Sequence, residues 1–298
     1  MKIGTYVVKG PGTAEERLRV IKEAGFDFVC LSRSMFTGRG ATPELCRRVG
    51  IPFDNVHLTC SDTSLIWFPG EEGEAICGRY CSEIEQAAAA GVKTGIAHVT
   101  WKRLPLPPDD PSEGLRRYEK IWKTARKCGF TVAVENSAHA KPLHDVLDRF
   151  GDPFRYCFDS GHRNCFTPVE DFLADYGGRL AATHLHDNDG STDLHMLPFD
   201  GRIDWDSVAK ALAATPSGRE KICAELVAPY GEEYPGMTAE QIAQSMRGME
   251  AVRRGDGEFS DGSVRFYNGI PYEKIISMLY GRMKKLGDMI DACAAGSK

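Results

Sequence analysis

The sequence predicts an α/β protein that folds as a single-domain (β/α)8 TIM barrel with an extra C-terminal helix. Its 298 residues contain eight short apolar runs of strand length, and most of these runs are followed by a helical pattern. The runs are apolar throughout, which is typical of strands covered on both faces. The turn after the first strand lacks the glycine fingerprint of an open doubly wound sheet, so the eight units favour a closed barrel.

Capping and stop signals set the bounds of the first four units. Thr13 is followed three residues later by Glu16, a capping box that begins a helix, and Gly25 ends that helix. Glycines end the next three helices in the same way, at Gly50, Gly91 and Gly129. The predicted strands are 1–8, 26–32, 53–59 and 92–100, and the later helices are 42–49, 71–90 and 112–127.

The second half of the chain repeats the same alternation. The predicted strands are 130–136, 155–159, a run ending at His184 and His186, and 221–227, and the predicted helices are 143–150, 169–176, 205–214 and 272–293. No composition shift marks a domain boundary, so we assign residues 1–298 to one domain, with the barrel in 1–254. The glycine-punctuated loop and last helix of 255–298 could complete the eighth unit, cap one barrel end or form a homo-oligomer contact.

Composition limits the classes of partner. The net charge of −5 argues against a broad basic surface that grips nucleic-acid phosphates. No secretion signal and no long uncharged apolar run are present, so we expect a cytoplasmic protein without a membrane span. The ten cysteines are scattered through apolar patterns, and we expect reduced, mostly buried thiols.

Polar residues fall at or near the C-terminal ends of six different predicted strands. These ends converge on one face of a barrel, where barrel enzymes carry their chemistry. A single histidine there would by default be a satisfied structural residue, but six coincidences together indicate a site. The six residues are His57, His98, Glu135, Asp159, His184 and Glu225.

The stretch 181–205 concentrates further histidines and carboxylates. His184 and His186 are two residues apart in a strand, so both side chains point to the same face. Asp193 and His195 have the same spacing in the following loop, and His162 lies just beyond the strand that ends at Asp159. Imidazoles and carboxylates in one small volume suit a divalent metal. We expect Asp187, in the same loop, to orient ligands or substrate hydroxyls from a second layer, or only to form the turn.

The motifs FDSGH, HLHDND, DLH followed by PFDGRIDW, and the strand ends VEN and AELV resemble the xylose-isomerase-like barrel superfamily over essentially the whole chain. That superfamily holds sugar and polyol isomerases and epimerases together with the endonuclease IV class of DNA-repair enzymes. Its epimerase branch implies one divalent metal, Mn or Zn in the first place and Mg or Co as alternatives. The implied ligands are Glu135, Asp159, His184 and Glu225. The choice of His184 over His186 rests on the family's His-x-x-Asp pattern, here His184 to Asp187.

The endonuclease branch implies three zinc ions instead. Its nine ligands match this sequence in type and order at His57, His98, Glu135, Asp159, His162, His184, Asp193, His195 and Glu225. In the epimerase interpretation, Glu135 and Glu225 act as acid and base on the two faces of an enediolate, and His57, His98, His162, His186, Asp193 and His195 bind substrate or a further metal.

We favour a metal-dependent isomerase or epimerase acting on a small sugar or polyol, phosphorylated or not, over an endonuclease IV-like phosphodiesterase acting on abasic-site DNA. The loops after the first three strands lack the Arg- and Lys-rich character of a DNA reader. In the loop after His57, we expect Trp67 and Phe68 to form a lid over a small ligand, and the glutamates that follow would repel a phosphate backbone. A non-catalytic metal-dependent binding barrel is a third alternative, but both catalytic glutamates are present.

Overall fold

The computed structural model describes residues 1–8, 10–101, 105–191, 193–226, 267 and 270–296. Eight parallel strands form the centre of the molecule, one from each predicted unit. They are β1 (Lys2–Tyr6), β2 (Phe28–Leu31), β3 (Phe53–His57), β4 (Thr94–His98), β5 (Thr131–Glu135), β6 (Phe154–Asp159), β7 (Leu180–His184) and β8 (Lys221–Ala224).

Helices lie between the strands along the chain. The α-helices are α1 (Ala14–Glu23), α2 (Pro43–Val49), α3 (Glu71–Ala89), α4 (Ser112–Cys128), α5 (Ala140–Arg149), α6 (Ser160–Phe166), α7 (Phe172–Tyr176), α8 (Trp205–Ala213) and α9 (Tyr272–Gly296). Short 3-10 helices occur at Arg33–Thr37, Thr63–Trp67, Gly177–Arg179 and Ser217–Arg219. The predicted capping box is confirmed, because the Thr13 side chain accepts from the Glu16 amide while the Glu16 carboxylate accepts from the Thr13 amide.

The sheet closes on itself, which confirms the predicted barrel. Seven strand pairs follow the order β7-β6-β5-β4-β3-β2-β1-β8. The remaining seam is bridged just beyond β7, where the amide of Leu185 donates to Cys223 and the amide of Glu225 donates to Leu185. All C-terminal strand ends therefore meet at one mouth.

Several element bounds differ from the sequence prediction. The structure adds helix α6 immediately after β6, where the Asp159 carboxylate caps the helix by accepting from the His162 amide. Helix α5 begins three residues earlier than predicted and α7 begins three residues later. Strand β8 ends at Ala224, and the predicted boundary between residues 254 and 255 lies outside the described residues.

The segment that was expected to form a lid is instead anchored in the core. Trp67 is 1% exposed, its indole Nε1 donates to the Val99 carbonyl at 2.7 Å, and its ring contacts that of Tyr118. The buried guanidinium of Arg117 donates to the carbonyls of Ile66, Phe68 and Gly70. The prediction of a Trp67 lid is therefore wrong, because the ring packs inward between α3 and α4, and only the half-buried Phe68 remains near the surface.

All ten cysteines are free thiols, seven of them buried. In the described part of the chain, no helix combines the length and the apolar character needed to cross a membrane.

Candidate metal centre

The six predicted strand-end residues gather at the mouth of the barrel. His57, His98, Glu135, Asp159 and His184 are the last residues of β3 to β7, and Glu225 directly follows β8. The register sets them side by side, with His98 paired to Glu135 and Asp159 paired to His184. Glu135, Asp159 and His184 are fully buried, whereas the Glu225 side chain is 17% exposed and faces the opening.

Glu135 lies at the centre of the cluster with four imidazoles around its carboxylate. Its Oε2 lies 3.1 Å from His98 Nε2 and 3.6 Å from His57 Nε2. Its Oε1 lies 3.1 Å from His184 Nδ1 and 3.2 Å from His162 Nδ1. Neither oxygen has a hydrogen-bond partner of good geometry among the described residues, although both are buried. A buried carboxylate without such partners requires a compensating cation.

His184 presents one ring nitrogen to the same volume. Its Nδ1 lies 3.1 Å from both Glu135 Oε1 and Glu225 Oε2 and 3.9 Å from Asp159 Oδ2. This nitrogen also lacks a hydrogen-bond partner of good geometry in the described part of the chain, although three carboxylates lie within 4 Å of it. The donor set of one imidazole and three carboxylates fits a divalent cation such as Zn²⁺ or Mn²⁺.

A second group of side chains adjoins the first through Asp159. His186 Nε2 lies 3.1 Å from Asp159 Oδ2, and Asp193 lies 3.2 Å from His162 Nε2 and 3.3 Å from His195 Nδ1. The rings of His186 and His195 stack at 4.0 Å and are nearly parallel. All nine residues that match the ligands of the endonuclease branch, together with His186, therefore share one pocket, which contains six of the eight histidines of the chain.

Two backbone features make room for this second group. A Cβ at Gly161 would lie 1.9 Å from the His186 ring, so only glycine at this position lets that ring approach Asp159. His195 has a φ of +46°, a left-handed conformation that is costly for a residue with a Cβ and that is typical of functional sites. The glycine of the FDSGH motif thus has a steric role.

The pKa values reflect burial opposed by the close contacts between unlike charges. Burial alone would raise the pKa of Glu135, but the neighbouring His184 and His98 rings hold it well below its usual value. Glu225 and Asp193 behave in the same way, since burial raises the pKa and nearby imidazoles lower it by more. Glu135, Glu225 and Asp193 are therefore ionised at neutral pH in the free pocket.

The histidines divide into two groups. Burial opposes protonation of His162 and His184. Asp159 and Asp193 nevertheless raise the pKa of His162 well above the usual 6.5, as Cys157 and the carboxylates of Glu135 and Glu225 do for His184. The carboxylate of Asp159 raises the pKa of His186 to about 9. Burial lowers the pKa of His98 and His195. Neutral His195 can therefore stack on cationic His186 without charge repulsion.

Asp187 forms the turn instead of contacting the cluster. Its carboxylate accepts hydrogen bonds from the amides of Asn188, Phe199 and Ile203 and from the indole of Trp205. Of the two roles that the sequence left open, these bonds support the structural one. Asp187 fixes the 187–205 loop, and this loop carries Asp193 and His195 into the pocket.

Sequence reasoning missed several residues of the site. Asn136 accepts from the Asp159 amide and donates to its carbonyl, and its own carbonyl faces His162 Nδ1. The thiols of Cys60 and Cys157 lie among the imidazoles, within metal-ligating reach of His57 and His184 respectively. The phenol of Tyr6 contacts His184 from below. Asn136 follows Glu135 in the VEN motif, so the sequence could have indicated that it belongs to the site. Isolated cysteines in apolar runs give no such indication.

The fold and this pocket agree with a family comparison. The family model described as Xylose isomerase-like TIM barrel matches residues 18–252. The chain therefore belongs to the xylose isomerase-like TIM barrel family. Every strand-end residue of the cluster lies within the matched segment.

Individual relatives provide further comparisons. The chain is 55% identical over 218 residues to Uncharacterized protein y4fM of Sinorhizobium fredii (strain NBRC 101917 / NGR234), and the alignment covers 66% of each protein. The chain thus spans slightly less than two thirds of that relative.

Solved structures share the fold at low identity. The D-allulose 3-epimerase from Methylomonas sp. in complex with D-allulose superposes with a TM-score of 0.67 at 13% identity, covering 96% of both chains. The structure of IOLI protein with a binding zinc atom gives a TM-score of 0.62 at 16% identity, covering 88% of this chain and 100% of the other.

Proposed function

We propose that the protein is a divalent-metal-dependent isomerase or epimerase acting on a small sugar or polyol by proton transfer through an enediolate. The observation that carries the proposal is the convergence of Glu135, Asp159, His184 and Glu225, in which the buried Glu135 oxygens and His184 Nδ1 lack hydrogen-bond partners of good geometry among the described residues. The sugar epimerases and the zinc-binding protein that share the fold support it.

These four residues would hold the metal, with Mn or Zn as the favoured ion and Mg or Co as alternatives. The bound ion would polarise a carbonyl and its neighbouring hydroxyl, which acidifies the C–H bond beside the carbonyl. The protein contributes a buried, preorganised pocket in which ionised carboxylates face the substrate and bulk water is excluded.

Glu135 and Glu225 would move the proton. Both carboxylates flank the same His184 nitrogen at 3.1 Å, from strands three places apart around the barrel. One carboxylate removes the proton from one face of the substrate carbon, and the other, which is ionised in the free pocket and takes up a proton when substrate binds, returns that proton to the opposite face. The two roles exchange in the reverse reaction.

The remaining polar groups would bind substrate oxygens. Charged His186 is a donor, Asp193 is an acceptor held in place by His162, and neutral His98 and His195 can do either. A small polyhydroxylated molecule offers alternating donors and acceptors that match this set. We accordingly propose a small-molecule sugar or polyol as the partner, whereas the cytoplasmic location and a homo-oligomer remain predictions.

An endonuclease IV-like phosphodiesterase is the second candidate. It is favoured by the presence in one pocket of all nine residues that match the ligands of that branch. A zinc cluster there could generate a hydroxide for phosphodiester cleavage. The burial of Trp67 weakens this candidate, because that ring is not available as a wedge between bases.

The test is deuterium exchange into a panel of ketoses incubated with the metal-loaded protein in D2O. We expect a substrate of the panel to gain one deuterium at the carbon beside its carbonyl as it isomerises. Glu225→Gln and Glu135→Gln should each reduce turnover by at least about 100-fold. Glu220→Gln is the matched control. Glu220 precedes β8 at the opposite end of the barrel, so this variant should retain full activity.

Two results would contradict the proposal. Cleavage of abasic-site DNA without exchange into any ketose would favour the phosphodiesterase. A fully active Glu225→Gln variant with full metal content would remove Glu225 from the proton transfer.

A further inference from the structure

A buried phenol supports the metal centre from inside the barrel. Tyr6 ends β1 and is 6% exposed. Its Oη lies 3.0 Å from His184 Nε2, the ring nitrogen that faces away from the carboxylates, and 3.4 Å from Asn55 Oδ1. The Tyr6 and His184 rings meet edge to face at 5.1 Å. Tyr6 therefore contacts the ring nitrogen of His184 that faces away from the proposed metal position.

The partners of Asn55 fix the direction of these hydrogen bonds. Asn55 Nδ2 donates to Asp54 Oδ2 at 3.1 Å, and the other oxygen of Asp54 accepts from Lys221 Nζ at 2.5 Å. With its amide group turned to Asp54, Asn55 offers only its carbonyl oxygen to Tyr6. The single hydroxyl proton of Tyr6 is thus directed at Asn55, and an oxygen lone pair faces His184 Nε2.

A lone pair at that position requires a proton on His184 Nε2. The other nitrogen, Nδ1, lies 3.1 Å from two carboxylate oxygens yet makes no hydrogen bond of acceptable geometry with a described residue. The first observation places a proton on Nε2, and the second leaves Nδ1 without a hydrogen-bond partner among the residues described, so that a bound metal can replace the proton on Nδ1 and take its lone pair.

We propose that Tyr6 and Asn55 are positioning residues that set the tautomer of His184 for metal binding. They form the upper part of a polar line that starts at the Lys221–Asp54 ion pair near the N-terminal end of the barrel. This inference rests on the proposed function, because it takes His184 as a metal ligand. A phenol is a neutral acceptor, so His184 would bind as neutral imidazole with less electron donation than from a carboxylate partner.

The test is zinc affinity, measured by chelator competition on metal-depleted protein. Tyr6→Phe removes the acceptor, and we expect its affinity for zinc to fall about 10- to 100-fold, the range found for outer partners of metal ligands. Asn55→Leu should weaken binding as well, because the freed Tyr6 hydroxyl can then donate to Nε2 and favour the tautomer with a proton on Nδ1. The double variant should be no weaker than Tyr6→Phe, since Asn55 acts only through Tyr6.

Tyr272→Phe is the matched control, because this buried phenol donates to the Val8 carbonyl and does not contact His184. It should lose stability as Tyr6→Phe does and bind zinc with unchanged affinity. A Tyr6→Phe variant that binds zinc within about twofold of the wild type would overturn this inference but not the proposed function. The same holds if the losses of zinc affinity in the two single variants multiply in the double variant. Wild-type protein that binds no zinc would overturn the proposed function and the inference together.

Discussion

At the residue scale, the surroundings of His162 are those of a charged side chain and not those of a metal ligand. Its Nδ1 lies 3.0 Å from the Asn136 carbonyl and its Nε2 lies 3.2 Å from Asp193 Oδ2, so both ring nitrogens face acceptors. This geometry suits the doubly protonated ring and agrees with the raised pKa of His162. In that state the side chain donates to Asp193 and offers no lone pair to a cation.

This assignment predicts a pH dependence of stability in metal-depleted protein. The folded-state pKa of His162 lies above the unfolded value of about 6.5, so its stabilising contribution is complete below that pH and is lost as pH rises through the folded pKa. The free energy of unfolding of wild type minus that of His162→Gln should therefore shrink as pH rises, by about 1.4 kcal/mol for each unit by which the pKa is raised. A difference that stays constant from pH 6 to pH 10 would contradict the charged state.

At the element scale, helices α3 and α4 hold the segment after β3 in place. Gly114 on α4 lies against the Trp67 ring, and a Cβ there would approach Trp67 Cε3 to 2.0 Å. The Arg117 side chain, one turn further along, binds three carbonyls of the same segment. This packing orders the chain between His57 and α3, and hence one wall of the pocket.

Replacing this glycine should therefore loosen the wall. We expect Gly114→Ala to reduce the free energy of unfolding by about 1–3 kcal/mol through overpacking, despite the better helix propensity of alanine. Gly78→Ala is the matched control on the facing helix α3, because its new Cβ would meet no atom within 4 Å. That variant should gain about 0.5–1 kcal/mol. Urea titrations of both variants measure the difference. Equal changes in the free energy of unfolding would show that Trp67 is not tightly packed.

The sequence predicted elements well where length and period were long enough to read. The eight strands and the capping box of α1 were confirmed. Helix α6 was missed because its seven residues, SGHRNCF, show no helical period. Trp67 was assigned to a lid because an aromatic residue in a loop does not reveal its partner. Here the ring packs against Gly114, which has no side chain and lies more than 40 positions further along the chain.

The site was predictable at strand ends and hidden within strands. His57 and His98 stood out because each polar residue ends an apolar run. Tyr6 ends β1 but lies inside the longer strand predicted over 1–8, and Asn55 lies within β3, so neither marked the end of an apolar run. Without the register, side chains at such positions that point into the barrel cannot be told from those that point outward. The role of Gly161 also became visible only when the His186 ring was found against it.

At the scale of the whole molecule, one pocket is shared by the ends of seven strands. Strand β1 supplies Tyr6 from below, strands β3 to β7 supply a side chain each, and the seam at β8 supplies Glu225. Closure of the barrel between Leu185 and Ala224 brings Glu225 next to His184. The proposed chemistry thus depends on the closed ring, because the two proton-transfer carboxylates come from different sides of it.

The central claim is that one metal ion is held by Glu135, Asp159, His184 and Glu225, while the second group of side chains binds substrate. The measurement that tests it most directly is elemental analysis of gently purified wild-type and His195→Ala protein. We predict one ion per chain in both, because four ligands suffice for one ion and His195 is not among them. Two or three ions per chain in the wild type, with about one equivalent lost in His195→Ala, would contradict the account in favour of a multinuclear phosphodiesterase.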